Sequence, residues 1–94
     1  MAALLVGTIR VNHPALWRQY VERVGATIAQ YDGVALGRGV KALELAGHAH
    51  GERMVVARFT DLAALRRWHD SPEYQALVPL RMAAADVVLT AYED

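Results

Sequence analysis

Leu4 to Val11, LLVGTIRV, is an apolar, β-branched run bounded by Asn-His-Pro, and it predicts a strand. Behind it, PALWRQYVERVGATIAQYDG spaces Trp17, Tyr20, Val24, Ile28 and Tyr31 three and four residues apart. That period is one face of a helix, with Pro14 in its first turn, Asn12 or His13 as its cap and Gly33 at its end. Gly25 is a poor helix residue and suggests close packing there. Val34 to Ala46, VALGRGVKALELA, alternates loosely around Gly37, Arg38 and Gly39, as a strand with a bulge or kink does. GHAHGE then reads as a loop, and RMVVARFT, Arg53 to Thr60, as the second strand of a hairpin. Asp61 is placed to cap a helix DLAALRRWHD, in which Leu62, Leu65 and Trp68 or His69 share a face. After the break at WHDSPEYQ comes a short helical piece, PEYQALVPLRMAAA, and the alternating DVVLTAYED predicts the last strand.

Strand, helix, strand, strand, helix, strand is the order of the ferredoxin-like split unit, an α+β fold with two main helices on one face of a four-stranded antiparallel sheet. Several strands are apolar at both parities: Leu5, Ile9 and Val11 against Leu4 and Val6, and Val55, Ala57 and Phe59 against Met54 and Val56. A sheet with one wet face alternates more cleanly. The pattern therefore predicts that a second sheet, from another copy of the chain, covers the face the helices leave open.

Composition sharpens this picture. At 94 residues the chain has room for one domain, residues 1–94. Hydrophobic residues make up 54%, enough to leave apolar surface for a homodimer to cover. Ten Lys and Arg balance ten Asp and Glu, and nine of those ten cations are arginines scattered along the chain. With no net charge, and no glycine-aromatic pattern in ERMVVARF on which bases would stack, no nucleic-acid partner is expected. The absence of cysteine excludes disulfides and thiolate chemistry. MAALLVGTIRV has no charged n-region or cleavage site, and no apolar run reaches the ~18 residues of a membrane span. A cytoplasmic protein with no membrane partner is the expectation.

Four stretches together carry a resemblance: PALWRQYVERVGATIAQYDG leading to Arg38-Gly39, the strand ERMVVARF, the segment WHDSPEYQALVPLR, and the short final strand. Over almost its whole length the chain resembles the bacterial family catalogued as domain of unknown function 1330, in the dimeric α+β barrel superfamily. The resemblance implies ferredoxin-like protomers whose sheets pack face to face. Relatives in that superfamily include cofactor-independent monooxygenases, muconolactone isomerases, haem-degrading enzymes and dye-decolorising peroxidases, so the fold does not choose a function. The chain departs from the family pattern at His13, where Asp is common, at His69, where Tyr often follows the tryptophan, at Asp32, where a second Gly is usual, and in GHAH at the hairpin tip.

Candidate site residues follow from the break. Ser71 before Pro72 suits an N-cap, and Asp70 with Glu73 suits a capping box; capping leaves Tyr74 and Arg81 unexplained. Seven residues apart, a phenol and a guanidinium share a helix face and can converge on an anion. Arg38 between two glycines has room to enter a cavity or to neutralise an interface carboxylate, and Arg58 mid-strand is read as a buried pair at the interface or a pocket cation. His69 is the residue near this segment able to act as general base near neutral pH. Trp17, Tyr20 and Trp68 suit pocket walls, although aromatic residues at helical spacing most often belong to the core. His48 and His50 form a metal pair only if a third ligand joins them, and a solvated turn is favoured over it. No phosphate loop, nucleophile elbow, paired catalytic carboxylates or zinc spacing is present, and no cofactor or metal is expected.

The leading expectation is a protein that binds a small anionic or aromatic organic molecule between helices and sheet, with Arg38 and Arg81 supplying charge. Ser71, Tyr74 and His69 would supply hydrogen bonds, and Trp17, Tyr20 and Trp68 the walls. The alternative is a cofactor-independent isomerase, cyclase or monooxygenase using His69 as base, and the third is a non-catalytic structural dimer.

Overall fold

In the computed structural model, which describes residues 1–94, every second residue of strand β1 (Ala3–Val11) turns inward: Ala3, Leu5, Gly7 and Ile9 are buried. Leu4, Val6 and Thr8 between them are only half covered. The chain continues through α1 (Pro14–Gln30), β2 (Val34–Val40), β3 (Arg53–Phe59), α2 (Leu62–Asp70), α3 (Pro72–Gln75), α4 (Val78–Ala84) and β4 (Ala85–Glu93). All pairings are antiparallel and the strand order is β2-β3-β1-β4, the ferredoxin-like arrangement. The helices share one face of this sheet. Between the two layers lies a core of Leu5, Ala57, Phe59, Tyr20, Leu65, Trp68, Tyr74 and Leu77.

Register fixes which residues look the other way. Val6 lies opposite Val56 on one side and Thr90 on the other, and Thr8 lies between Met54 and Val88. With Tyr92 opposite Leu4, these residues make an outer face that no helix covers; Met54, Val88 and Tyr92 on it are 40%, 48% and 54% exposed.

Several boundaries differ from the sequence pattern. The second strand ends at Val40, not Ala46. A register shift between Ala35 and Gly37 spends one residue on a bulge, and after Lys41 N–H bonds to the Glu52 carbonyl the chain leaves the sheet. Leu43 and Leu45 are then exposed, their alternation having no partner strand. The first helix ends at Gln30 rather than Gly33, in a turn where Asp32 takes φ 62 and Gly33 N–H returns to the Ile28 carbonyl. A Cβ on Gly33 would stand 2.7 Å from the Phe59 ring, which is why the chain passes here as glycine. Neither Asn12 nor His13 caps α1 with its side chain; both backbone N–H groups bond to the Ala84 carbonyl instead. Gly25 packs against nothing within 4 Å, so no close approach explains it. The helical piece after Ser71 divides into α3 and α4, with Pro79 in the first turn of the latter.

Candidate functional site

Asp61 starts α2 by accepting a hydrogen bond from Ala64 N–H at 2.8 Å, and the helix then presents Ala64, Leu65 and Trp68 to the core. Its other edge carries Arg66, His69 and Asp70. Opposite this edge the sheet contributes Leu5 from β1 and Leu89 and Ala91 from β4, and the two sides bound a cleft of about 340 Å³. The floor is apolar and the rim titratable. His69 Nδ1 stands 3.3 Å from the Asp70 carboxylate, with the histidine side chain 45% exposed, so its ring is oriented by the acid yet open to the cleft.

Beneath this cleft the opening of α3 is built from buried hydrogen bonds. Ser71 Oγ donates to the Trp68 carbonyl at 2.7 Å and accepts from Tyr74 N–H at 3.1 Å. Trp68 Nε1 donates to Thr27 Oγ1 at 3.0 Å, and Thr27 Oγ1 donates to the Val24 carbonyl. These bonds lock α2 and α3 against α1. Ser71 therefore caps α3, but the Asp70–Glu73 box does not form: Asp70 turns to His69, while Glu73 accepts from Gln30 Nε2 at 3.1 Å and the Tyr31 hydroxyl at 3.2 Å.

Tyr74 and Arg81 do meet, although they sit on different short helices. Arg81 Nη1 donates to the Tyr74 hydroxyl at 2.8 Å, and that oxygen is 2.9 Å from the Tyr20 hydroxyl. Tyr74 is fully buried, and burial, followed by the neighbouring Tyr74, pushes the Tyr20 phenol far above its ordinary range. Tyr20 is neutral at any physiological pH. Trp17 stacks on Tyr20 with ring centroids 5.2 Å apart, and Trp68 packs on Tyr74 at 4.2 Å, so these rings are core and not an open aromatic box.

The structure thus separates residues that the sequence reading grouped. Of the eight candidates, Trp68 and His69 line the cleft between α2 and the sheet, whereas Ser71, Tyr74 and Tyr20 spend their polar atoms inside the fold. Arg81 faces a second cleft, at the end of α4. Arg38 follows the bulge on exposed β2, lines neither of these clefts and has no carboxylate within ion-pair distance. Arg58 lies on the outer face, opposite Leu4 and Val34, and is exposed in the protomer; it lines neither cleft and sits on the face that the helices leave open. His48 approaches Glu44 at 3.6 Å while His50 Nδ1 meets Thr8 Oγ1 at 3.0 Å, so the two histidines turn to different partners and do not form a ligand pair. The sequence reading missed Leu5, Leu65, Arg66, Leu89 and Ala91 as lining residues. Arg66, His69 and Asp70 are three and four residues apart, a polar stripe beside the apolar one on α2 that the helical period contained. No helix is long and apolar enough to cross a membrane.

A family model described as Domain of unknown function (DUF1330) matches residues 2–94. No curated protein matches the chain. Among solved structures, the chain is similar to a protein of unknown function from Rhodopseudomonas palustris, with TM-score 0.84, 19% identity, and 99% of this chain and 82% of that one covered. It is also similar to SnoaB, a cofactor-independent oxygenase from Streptomyces nogalater, with TM-score 0.74, 17% identity and coverage of 99% and 92%. A dimeric ferredoxin-like protein of unknown function from Jannaschia gives TM-score 0.71 at 12% identity over 100% of both chains. At these identities the likeness is one of fold.

Proposed function

The chain belongs to the DUF1330 family, and from that premise we propose that it is a homodimer in which each protomer binds one small aromatic or anionic organic molecule in the cleft between α2 and the sheet. The observation that carries this reading is the composition of that cleft: a floor of Leu5, Leu89 and Ala91 under a rim of Arg66, His69 and Asp70. An aromatic ring gains apolar contact on the floor, and an acidic group at its edge meets Arg66 and His69. Trp68 forms the back wall; Ser71, Tyr74, Tyr20 and Trp17 act behind it, holding the wall in place. Homodimerisation draws support from the uncovered apolar outer face and from relatives of the same fold described as dimeric.

Thermal melting with a panel of aromatic carboxylates and phenols tests the binding reading. At least one should raise Tm in the wild type and leave Ala91→Trp, whose indole fills the cleft, unmoved. If every compound leaves Tm unchanged, or if Ala91→Trp responds as the wild type does, the reading fails and the non-catalytic dimer remains.

One observation favours a catalytic version. His69 Nδ1 stands 3.3 Å from the Asp70 carboxylate, and a proton donated there leaves Nε2 as the acceptor nitrogen of a residue that lines the cleft. In this version Nε2 takes an acidic proton next to a carbonyl or phenol, and Arg66 stabilises the oxyanion that results. SnoaB, similar in fold, is described as a cofactor-independent oxygenase, which is compatible chemistry on a shared scaffold. His69→Ala would then abolish turnover while keeping ligand binding; a variant that keeps turnover rules this version out.

A further inference from the structure

Arg81 is half-buried and has no carboxylate within ion-pair distance. Its side-chain bond goes to a phenol, so its charge is held by hydrogen bonding but not neutralised. Donor counting in this cluster points the same way. Arg81 Nη1 and the two phenolic O–H groups of Tyr74 and Tyr20 are three donors sharing two oxygens, and whichever hydroxyl donates to the other, one O–H proton has no acceptor. The guanidinium, held by phenols that bring it no negative charge, favours an anion on its open face.

The remaining face of Arg81 borders a cleft of about 280 Å³ at the junction of α4 and β4. Apolar walls come from Met82, Ala85 and Val87, with Val88 and the Thr8-bonded His50 closing the side next to the outer face that a second copy would cover, and Asp86 completes the lining. Each group restricts the occupant. The guanidinium offers a planar donor fork that fits a carboxylate, and the apolar walls require a hydrophobic body on the ligand. Asp86, whose carboxylate is only 4.0 Å from the Arg10 guanidinium and largely exposed, sets a negative charge at the rim. That disfavours a phosphate or any multiply charged anion. His50 is tethered to Thr8 and adds a ring nitrogen as hydrogen-bond donor or acceptor.

We propose that the cleft between α4 and β4 is a second ligand site, distinct from that under α2, which takes a small organic monocarboxylate by its carboxylate on Arg81. Tyr74 and Tyr20 are positioning residues in this site: they fix the guanidinium plane from behind and do not touch the ligand. The proposal stands independently of the α2 cleft.

The test is a titration with benzoate and its neutral isostere benzamide, followed by NMR at the Met82 methyl and the His50 ring. In the wild type benzoate should shift both signals saturably, and benzamide should bind about tenfold or more weakly, the loss of one charge-assisted contact. Arg81→Met should lose benzoate to the same extent. Because that change also strips the phenol pair, Met82→Glu, at a residue 69% exposed and tolerant of charge, serves as the second variant and should weaken benzoate about tenfold by repulsion. Ala91→Trp, in the other cleft, should leave these shifts intact. Equal binding of benzoate and benzamide overturns the proposal. So does wild-type affinity in Met82→Glu, shifts confined to Leu89 and Ala91, or the absence of shifts with benzoate up to about 10 mM, beyond which a site of this kind contributes less than a weak millimolar affinity.

Discussion

Tyr74 is the residue on which most of the polar architecture converges, since its hydroxyl meets Arg81 and Tyr20 and its N–H meets Ser71. Removing the hydroxyl leaves a guanidinium and a buried phenol short of a partner, which costs more than the bond itself. Tyr74→Phe should therefore lower unfolding free energy by about 1–3 kcal/mol in urea denaturation. Ser71→Ala, which removes the cap on α3, should cost about 1 kcal/mol by the same measurement. That Ser71 caps was legible from its place before Pro72, because capping is a local matter of side chain and nearby N–H. That Tyr74 and Arg81 bond to each other was not legible: the seven-residue spacing assumes one continuous helix, whereas they sit on α3 and α4 and meet directly. The spacing says two groups share a side; only the packing of α1 says that Tyr20 waits there and that the phenols are sealed from solvent. Arg38 shows the converse, since flanking glycines gave it room in the sequence and the edge position of β2 left that room open to water.

Among the elements, two glycines predict opposite outcomes. Gly25 lies mid-helix in α1 with no neighbour within 4 Å of a built Cβ. Gly25→Ala should stabilise the protein by about 0.5–1 kcal/mol through helix propensity alone. Gly51 takes φ +69 and its Cβ would collide with the Ile9 carbonyl, so Gly51→Ala should destabilise by about 2 kcal/mol or more, again read by urea unfolding. The same hairpin is tied down by Glu52, whose carboxylate accepts the Val11 N–H at 3.0 Å. That bond is the main reason its pKa lies below the ordinary 4.5. A carboxyl with a lowered folded pKa adds stability above its unfolded value and loses it as pH falls through the folded one. Stability should therefore decline on acidification below about pH 4.5, and Glu52→Ala should flatten that decline in a series of denaturation curves. Strand and helix existence was readable from periodicity throughout, since the period depends on burial that the chain itself supplies. The ends were not. Val34–Val40 bulges between Ala35 and Gly37 and stops at Val40 because its partner strand begins only at Arg53, and neither event leaves a mark in alternation.

At the scale of the molecule, the protomer is a slab with Cα extents of 32 × 29 × 15 Å, one sheet and one helical layer. Its accessible surface is 6013 Å², against roughly 5,400 Å² for a monomeric protein of this mass. The excess accords with the open outer face, whose two-sided apolar strands made it visible in the sequence. If a second copy covers that face, light scattering should give twice the 10.3 kDa chain mass. Met54→Asp, at an exposed position on that face, should then yield a folded monomer. The architecture was readable because element order and patterning are properties of the whole chain; the ligand cleft was only half readable, because Leu5, Leu89 and Ala91 are brought to α2 by the β1–β4 pairing across most of the sequence. On the proposed reading this cleft holds an organic ligand. The most direct test is a methyl NMR titration of the wild type with 4-hydroxybenzoate, following the Leu5, Leu89 and Ala91 methyl groups. Saturable shifts are expected at all three in the wild type, with those of Leu5 and Leu89 lost in Ala91→Trp; a full titration that leaves the three methyls unmoved, or moves Leu5 and Leu89 equally in Ala91→Trp, contradicts ligand binding in this cleft.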